Sequence, residues 1–227
     1  MYILVVDDDQ FANSLVQFVI SKEGYEVETT DNPRGALQMI KKREPDLLII
    51  DVMMPYINGF EFATNLRKDG YDIPIIFMTA QDAIESKLQG FNIGADDYIC
   101  KPFNHQELVA RVQAVIRRVT HTAKIGNSSI RNGHFELFPG ELKVVIAGNA
   151  SITLTPTEMQ VLRVLMSSTG QVVERDRLLS EVWNDGESNS NIVDVYIRRL
   201  RLKLEEDADK PLHIISIRGI GYRFLGK

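Results

Sequence analysis

Three short apolar runs constrain the fold of this chain most: Tyr2–Val6 (YILVV), Leu47–Ile50 (LLII) and Ile75–Met78 (IIFM). Each is too short for a buried helix and does not alternate polar with apolar, which is the pattern of a strand covered on both faces. Weaker strand signals lie at Glu26–Thr30 and Tyr98–Cys100. Helical patterns separate them at Phe11–Glu23, Pro33–Arg43, Phe60–Lys68, Ile84–Ile93 and Gln106–Arg118. Strand followed by helix, five times over, predicts an α/β domain at residues 1–119: a doubly wound five-stranded parallel sheet with helices on both faces. In such a sheet the carboxyl ends of the strands share one edge, and ligands bind there.

The residues expected at that edge are chemically coherent. Asp7, Asp8 and Asp9 follow the first run, Asp51 the second, Thr79 the third, and Lys101 closes the last strand. Close carboxylates repel and lose hydration unless a cation sits among them, and hard oxygen ligands suit Mg²⁺. An ammonium from Lys101 and a hydroxyl from Thr79 complete a site for phosphoryl transfer, in which charge neutralisation and positioning do most of the catalysis. Asp51 is then the expected nucleophile and an aspartyl phosphate the product. A hydrolase that turns over phosphoesters would need a second acid to activate water, and the position two residues after Asp51 is Met53. Cys100 beside the site reads as a small buried hydrophobe, and as the only cysteine it excludes an internal disulfide and fits a reducing cytosol.

Thr120–Ser129 (THTAKIGNSS) loses periodicity and reads as a linker. Residues 130–227 then follow a different pattern. Short antiparallel strands are expected over 130–154, with turns at Pro139-Gly140 and Gly148-Asn149. A helix starts at Thr155-Pro156-Thr157-Glu158 with the residues of a capping box. Helices at Arg175–Trp183 and Asn191–Leu204 precede a hairpin of His213–Ile217 and Tyr222–Leu225.

The helix Asn191–Leu204 carries Arg198, Arg199, Arg201 and Lys203 against one acid, Asp194. Its spacing turns Val193, Ile197, Leu200 and Leu204 inward and leaves Asn191, Val195, Arg198, Arg199 and Lys203 outside, as a helix that enters a DNA major groove requires. The overall charge of −5 argues against a polyanionic partner only if it is spread evenly. It is not: residues 1–119 carry −6 and residues 124–227 carry +1.

On these motifs the chain resembles a known family. Residues 1–119 resemble the receiver domain of two-component response regulators, through VVDDD at Val5–Asp9, Asp51-Val-Met-Met-Pro55, Thr79-Ala80, Gly94-Ala-Asp-Asp-Tyr98 and Lys101-Pro-Phe103. Residues 124–227 resemble the winged-helix output domain of the OmpR/PhoB-like subfamily. The resemblance implies a flavodoxin-like receiver and a winged helix-turn-helix behind an N-terminal antiparallel sheet. It also implies a cytoplasmic transcription regulator that takes phosphate from a histidine kinase on Asp51.

Further implications follow residue by residue. Asp8, Asp51 and the Met53 backbone carbonyl would ligate Mg²⁺ (or Mn²⁺), with Asp7 acting through water. Thr79 and Lys101 would hold the phosphoryl oxygens, Thr79 and Tyr98 would switch, and Lys101–Pro102 would be cis. Phosphorylation would pair two receivers through Lys87, Leu88, Phe91, Asp96, Asp97, Glu107, Val109, Arg111 and Arg118, with Lys87 meeting Glu107 and Asp97 meeting Arg111 across the two-fold axis. Arg218 matches a wing arginine that reaches DNA. Asn191-Ile192 stands where relatives often carry Arg-Thr or Arg-Val. Promoter DNA is the expected partner, RNA polymerase a further one, and a membrane none: no apolar run approaches the roughly 18 residues that span a bilayer. The MYILVVDDDQ start carries no secretory signal. The competing reading is a DNA-binding protein that ignores phosphorylation and uses its receiver only to dimerise.

Overall fold

The continuous apolar runs occupy the middle of a sheet. In chain order the first part runs β1 (Tyr2–Val6), α1 (Gln10–Ser21), β2 (Glu26–Thr30), α2 (Pro33–Lys42), β3 (Leu47–Asp51), α3 (Gly59–Lys68), β4 (Ile75–Ala80), β5 (Asp97–Lys101) and α4 (His105–Lys124). The computed structural model describes residues 1–80, 95–124, 129–147, 151–183 and 191–226. The helix expected at Ile84–Ile93 lies outside them. The chain divides into two units, Met1–Ile116 and Arg117–Lys227.

In the first unit the strands pair in parallel in the order β2-β1-β3-β4-β5. The three clear runs, β1, β3 and β4, are the inner strands, and the two weak signals are the edges. On one face of the sheet Ile3, Val5, Leu47, Ile49, Ile76, Met78 and Ile99 pack with Val16, Val19 and Ile20 of α1 and Leu108, Val112 and Val115 of α4. The alternate residues point to the other face, where Phe60 of α3 meets Phe77 edge-on at 4.9 Å. Helix starts are set by side-chain caps: Asp9, Asn32 and Asn58 accept from Phe11, Gly35 and Glu61 backbone N–H groups.

The linker expected at Thr120–Ser129 is a correction: α4 continues to Lys124. Thr120–Lys124 contains neither proline nor glycine, and the first helix breaker is Gly126.

The second unit begins with an antiparallel sheet, β6 (Ile130–Asn132), β7 (Phe135–Phe138), β8 (Lys143–Ile146) and β9 (Ser151–Thr153), with a 3-10 turn at Pro139–Glu141. The turn expected at Gly148-Asn149 lies outside the described residues. Then come α5 (Pro156–Ser167), β10 (Val172–Glu174), α6 (Arg175–Trp183), α7 (Asn191–Leu204), β11 (Ile214–Ile217) and β12 (Gly221–Phe224). Strands β10, β12 and β11 form a second antiparallel sheet in that order. Strand β10 has only three residues and gave no sequence signal. Helix α5 starts with the expected capping box, Thr155 and Glu158 bonding reciprocally. Its buried residues run from Pro156 to Met166 with one interruption, so it is the central helix of the unit. Trp183 packs at a tilt against the fully buried Tyr196, with ring centroids 5.3 Å apart.

Candidate functional site

Four parallel strands deliver the acid edge. Asp7 follows β1, Asp51 ends β3, Thr79 is the penultimate residue of β4, and Lys101 ends β5. Asp7, Asp8 and Asp51 each place a carboxylate oxygen within 4.8 Å of the others. Asp7 and Asp51 are buried and Asp8 is open to solvent. The Lys101 ammonium lies 2.6 Å from Asp7 Oδ2 and 3.1 Å from Asp51 Oδ1. Burial pushes the Asp51 carboxyl above its ordinary range; Lys101 opposes this, while the Asp7 and Asp8 charges reinforce it. Burial also works against the Lys101 charge, but the hydrogen bond to Asp7 and the charge of Asp51 outweigh it and hold the ammonium above its ordinary value. Three carboxylates facing one ammonium leave an excess of negative charge, which a hard divalent cation on their oxygens would relieve.

Local backbone fixes this geometry. Asp7 Oδ1 accepts from the Asp9 backbone N–H at 3.0 Å, and its carbonyl accepts from the Asn13 amide at 2.6 Å. Asn13 was not singled out in the sequence; its signal is an amide on the buried stripe of α1, between Ala12 and Val16. Asp9 caps α1, so the acidic run divides between the site and the helix. Gly59 N–H donates to the Val52 carbonyl at 3.0 Å, and a Cβ on Gly59 would lie 2.3 Å from the Asp51 carbonyl oxygen. Only glycine lets α3 start so close to the end of β3. Met53 sits exposed in the intervening loop. Thr79 is buried opposite Cys100 in the β4–β5 register, and Tyr98 is buried beside Phe77 with ring centroids 5.6 Å apart. Cys100, expected to be buried, is only half-buried because β5 is an edge strand. The Lys101–Pro102 bond is cis.

In the second unit α7 is buried on more sides than its apolar spacing implied. Val195 and Arg199, expected on its outer face, are buried. For Arg199 the cause is Glu158. The acid of the capping box has no exposed surface, and Arg199 at 2.9 Å and Lys203 at 2.9 Å turn inward to neutralise it. Lys203 also donates to the Thr153 carbonyl at 2.9 Å. Arg201 donates to the Ile214 carbonyl and to Ser216, tying α7 to β11. Arg198 is exposed, in a 3.0 Å pair with the exposed Asp209. Arg218 is exposed at the tip between β11 and β12. Asn191 is the first residue of α7, and its side chain lies outside the described residues.

Comparison with known proteins agrees with both halves. Residues 3–113 match the model of the response regulator receiver domain, and residues 148–224 match that of the C-terminal domain of transcriptional regulatory proteins. The alkaline phosphatase synthesis transcriptional regulatory protein PhoP of Bacillus subtilis is 38% identical over 230 residues, covering 97% of this chain and 95% of its own. The transcriptional regulatory protein PcoR of Escherichia coli is 37% identical over 221 residues, covering 97% and 96%. The chain belongs to the OmpR/PhoB-like winged-helix response regulators. A solved structure of a RitR mutant superposes with a TM-score of 0.81 at 27% identity, covering 100% of this chain and 99% of that one. Members of this family regulate transcription and are not classical enzymes. Among the described residues no helix is long and apolar enough to cross a membrane.

Within this response regulator the expected pairing face is placed only in part. Lys87, Leu88 and Phe91 lie outside the described residues. Asp96 is a correction: it is buried, accepting from the Ile75 N–H at 2.9 Å while its own N–H donates to the Ile75 carbonyl at 2.7 Å, so it joins the start of β5 to β4. Arg118 is also buried, at 5% exposure, where a charge persists only when partnered. Asp97 and Glu107 both meet Arg111 at 2.9 Å within one chain, using the groups expected to pair between chains. Val109 is half-buried against the core.

Proposed function

We propose that Asp51 is the phosphoacceptor of this transcription regulator. Its carboxylate oxygen attacks the phosphorus of a phosphohistidine on a sensor kinase, the P–N bond breaks, and the imidazole leaves as it gains a proton. Asp7, Asp8, Asp51 and the Met53 carbonyl would hold Mg²⁺ (or Mn²⁺), which when bound neutralises charge on the phosphoryl oxygens. Lys101 stabilises the same oxygens from the β5 side and Thr79 donates from β4, after which Thr79 and Tyr98 relay the change. The observation that carries this reading is the convergence of three carboxylate oxygens within 4.8 Å at the strand edge that also carries Lys101.

Residues 1–119 act as the receiver and residues 130–227 as the output domain. Phosphorylation pairs receivers through the α4–β5 side, where Glu107, Val109 and the Asp97–Arg111 pair lie. Pairing makes a second DNA contact effectively intramolecular, worth roughly 10²–10⁴ in avidity. On DNA, Arg198, Arg218 and the start of α7 at Asn191 form the reading surface, while Arg199, Arg201 and Lys203 position α7. The reading places the protein in the cytoplasm, with RNA polymerase as a further partner.

Incubation with Mg²⁺ and acetyl phosphate is expected to add one phosphoryl group by mass spectrometry and to shift the protein to a dimer. Asp51→Ala should do neither. An Asp51→Ala protein that dimerises and binds DNA as wild type does would overturn the reading.

A further inference from the structure

The only acid in α7 is Asp194, in its first turn, on the helix proposed to face a polyanion. An isolated carboxylate there would repel phosphate. Its contacts give it a different purpose. Asp194 Oδ1 accepts from Arg175 Nη2 at 2.6 Å and from the Tyr222 hydroxyl, and Arg175 Nη2 is 3.1 Å from that hydroxyl. The Arg175 guanidinium also lies over the Tyr222 ring, 5.1 Å from its centroid. One carboxylate oxygen thus joins three elements: α7, the start of α6, and β12.

The same junction reaches the wing tip through the backbone. Arg175 N–H donates to the Ile220 carbonyl at 3.3 Å, and Glu174 pairs with Gly221 in the β10–β12 register. A Cβ on Gly221 would lie 2.0 Å from the Val173 carbonyl oxygen, so the strands meet at a spacing that only glycine permits. The exposed tip, Arg218-Gly219-Ile220, is therefore held by residues that Asp194 also holds.

We propose that Asp194 is a positioning residue for DNA recognition, fixing the wing tip relative to α7 through Tyr222 and Arg175. It rests on the reading that α7 and the wing tip contact DNA. Burial, reinforced by the hydrogen bond the hydroxyl donates to Asp194, keeps the Tyr222 phenol protonated, so it remains a donor at any physiological pH. Spacing between two reading elements decides whether both can meet a preferred site together. It matters much less for non-specific contact, which depends mainly on summed charge. Asp194 thus trades one unfavourable charge for register.

The test uses the full-length chain and two duplexes of equal length: one enriched by the wild-type protein from a random pool, and one scrambled. Asp194→Asn is expected to bind the scrambled duplex slightly more tightly and the enriched one roughly tenfold more weakly, a loss on the scale of one charge-assisted hydrogen bond. Tyr222→Phe, which leaves net charge unchanged, should weaken only the enriched duplex. The double variant should lose no more than the worse single one. If Asp194→Asn tightens both duplexes by the same factor, Asp194 is merely a repulsive charge and the proposal falls; additive losses would overturn it too. Arg218→Ala and Arg198→Ala separate the two levels. If neither weakens binding to either duplex, the DNA-contact reading itself is wrong.

Discussion

At Glu158 a carboxylate with no exposed surface holds two basic side chains of α7 and the backbone N–H of its own helix cap. Burial alone would raise its pKa, but Arg199 and Lys203 outweigh that and hold it below the ordinary value of 4.5. A carboxyl depressed in the folded state stabilises the fold above its unfolded value, and that contribution is lost as pH falls through the folded value. Acidification below about 4.5 should therefore destabilise the second unit in a Glu158-dependent way. The only tryptophan, Trp183, is buried in that unit, so its fluorescence reports the transition. Glu158→Gln should cost about 3–5 kcal/mol at neutral pH, because it leaves the buried Arg199 charge unmatched, and should flatten the acid dependence. A second prediction concerns the acid edge: Mg²⁺ at about 100-fold above its Kd should stabilise the first unit by about 2.7 kcal/mol, read in urea by circular dichroism. Asp8→Asn should diminish that gain. The carboxylates, Lys101 and Thr79 were legible because parallel strands send their ends to one edge whatever the details. Glu158 was read only as a cap, because nothing in a capping box says whether its acid will be buried.

Helices and strands were legible in proportion to how completely they are covered. The three inner strands show unbroken apolar runs, while edge β2 has exposed Glu26 and partly covered threonines, and β10 is too short to show a period. Helix α7 faces as its apolar stripe predicts, with Val193, Ile197, Leu200 and Leu204 buried and Arg198 exposed, but ion pairing to α5 also buries Arg199 and turns the partly covered Lys203 toward Glu158. The loop from β3 to α3 supplies a test at this scale. Gly59→Ala should push α3 away from the Asp51 carbonyl, costing about 1–3 kcal/mol as overpacking does. It should also slow phosphorylation by acetyl phosphate, measured by intact mass against time. An unchanged rate would show that Asp51 does not depend on that approach.

Across the whole chain, net charge conceals the division of tasks: −5 overall is −6 on residues 1–119 and +1 on residues 124–227. DNA affinity should fall steeply with salt, and removing Arg198 or Arg218 should each reduce the log–log slope by about 1. Arg199→Ala should instead lower stability and leave that slope almost unchanged. The sheet adds a mechanical consequence. Strand β5 is moored at its start, where Asp96 grips Ile75 on β4, and loaded at its end, where Lys101 holds Asp7 and Asp51. Between those ends β5 is bonded along its whole length to β4, from the Ile76–Asp97 pair to the Ala80–Lys101 pair. If Asp51 gains charge, a shift of Lys101 would run along that single seam past Cys100, Ile99 and Tyr98, which among the described residues have no strand on their other side.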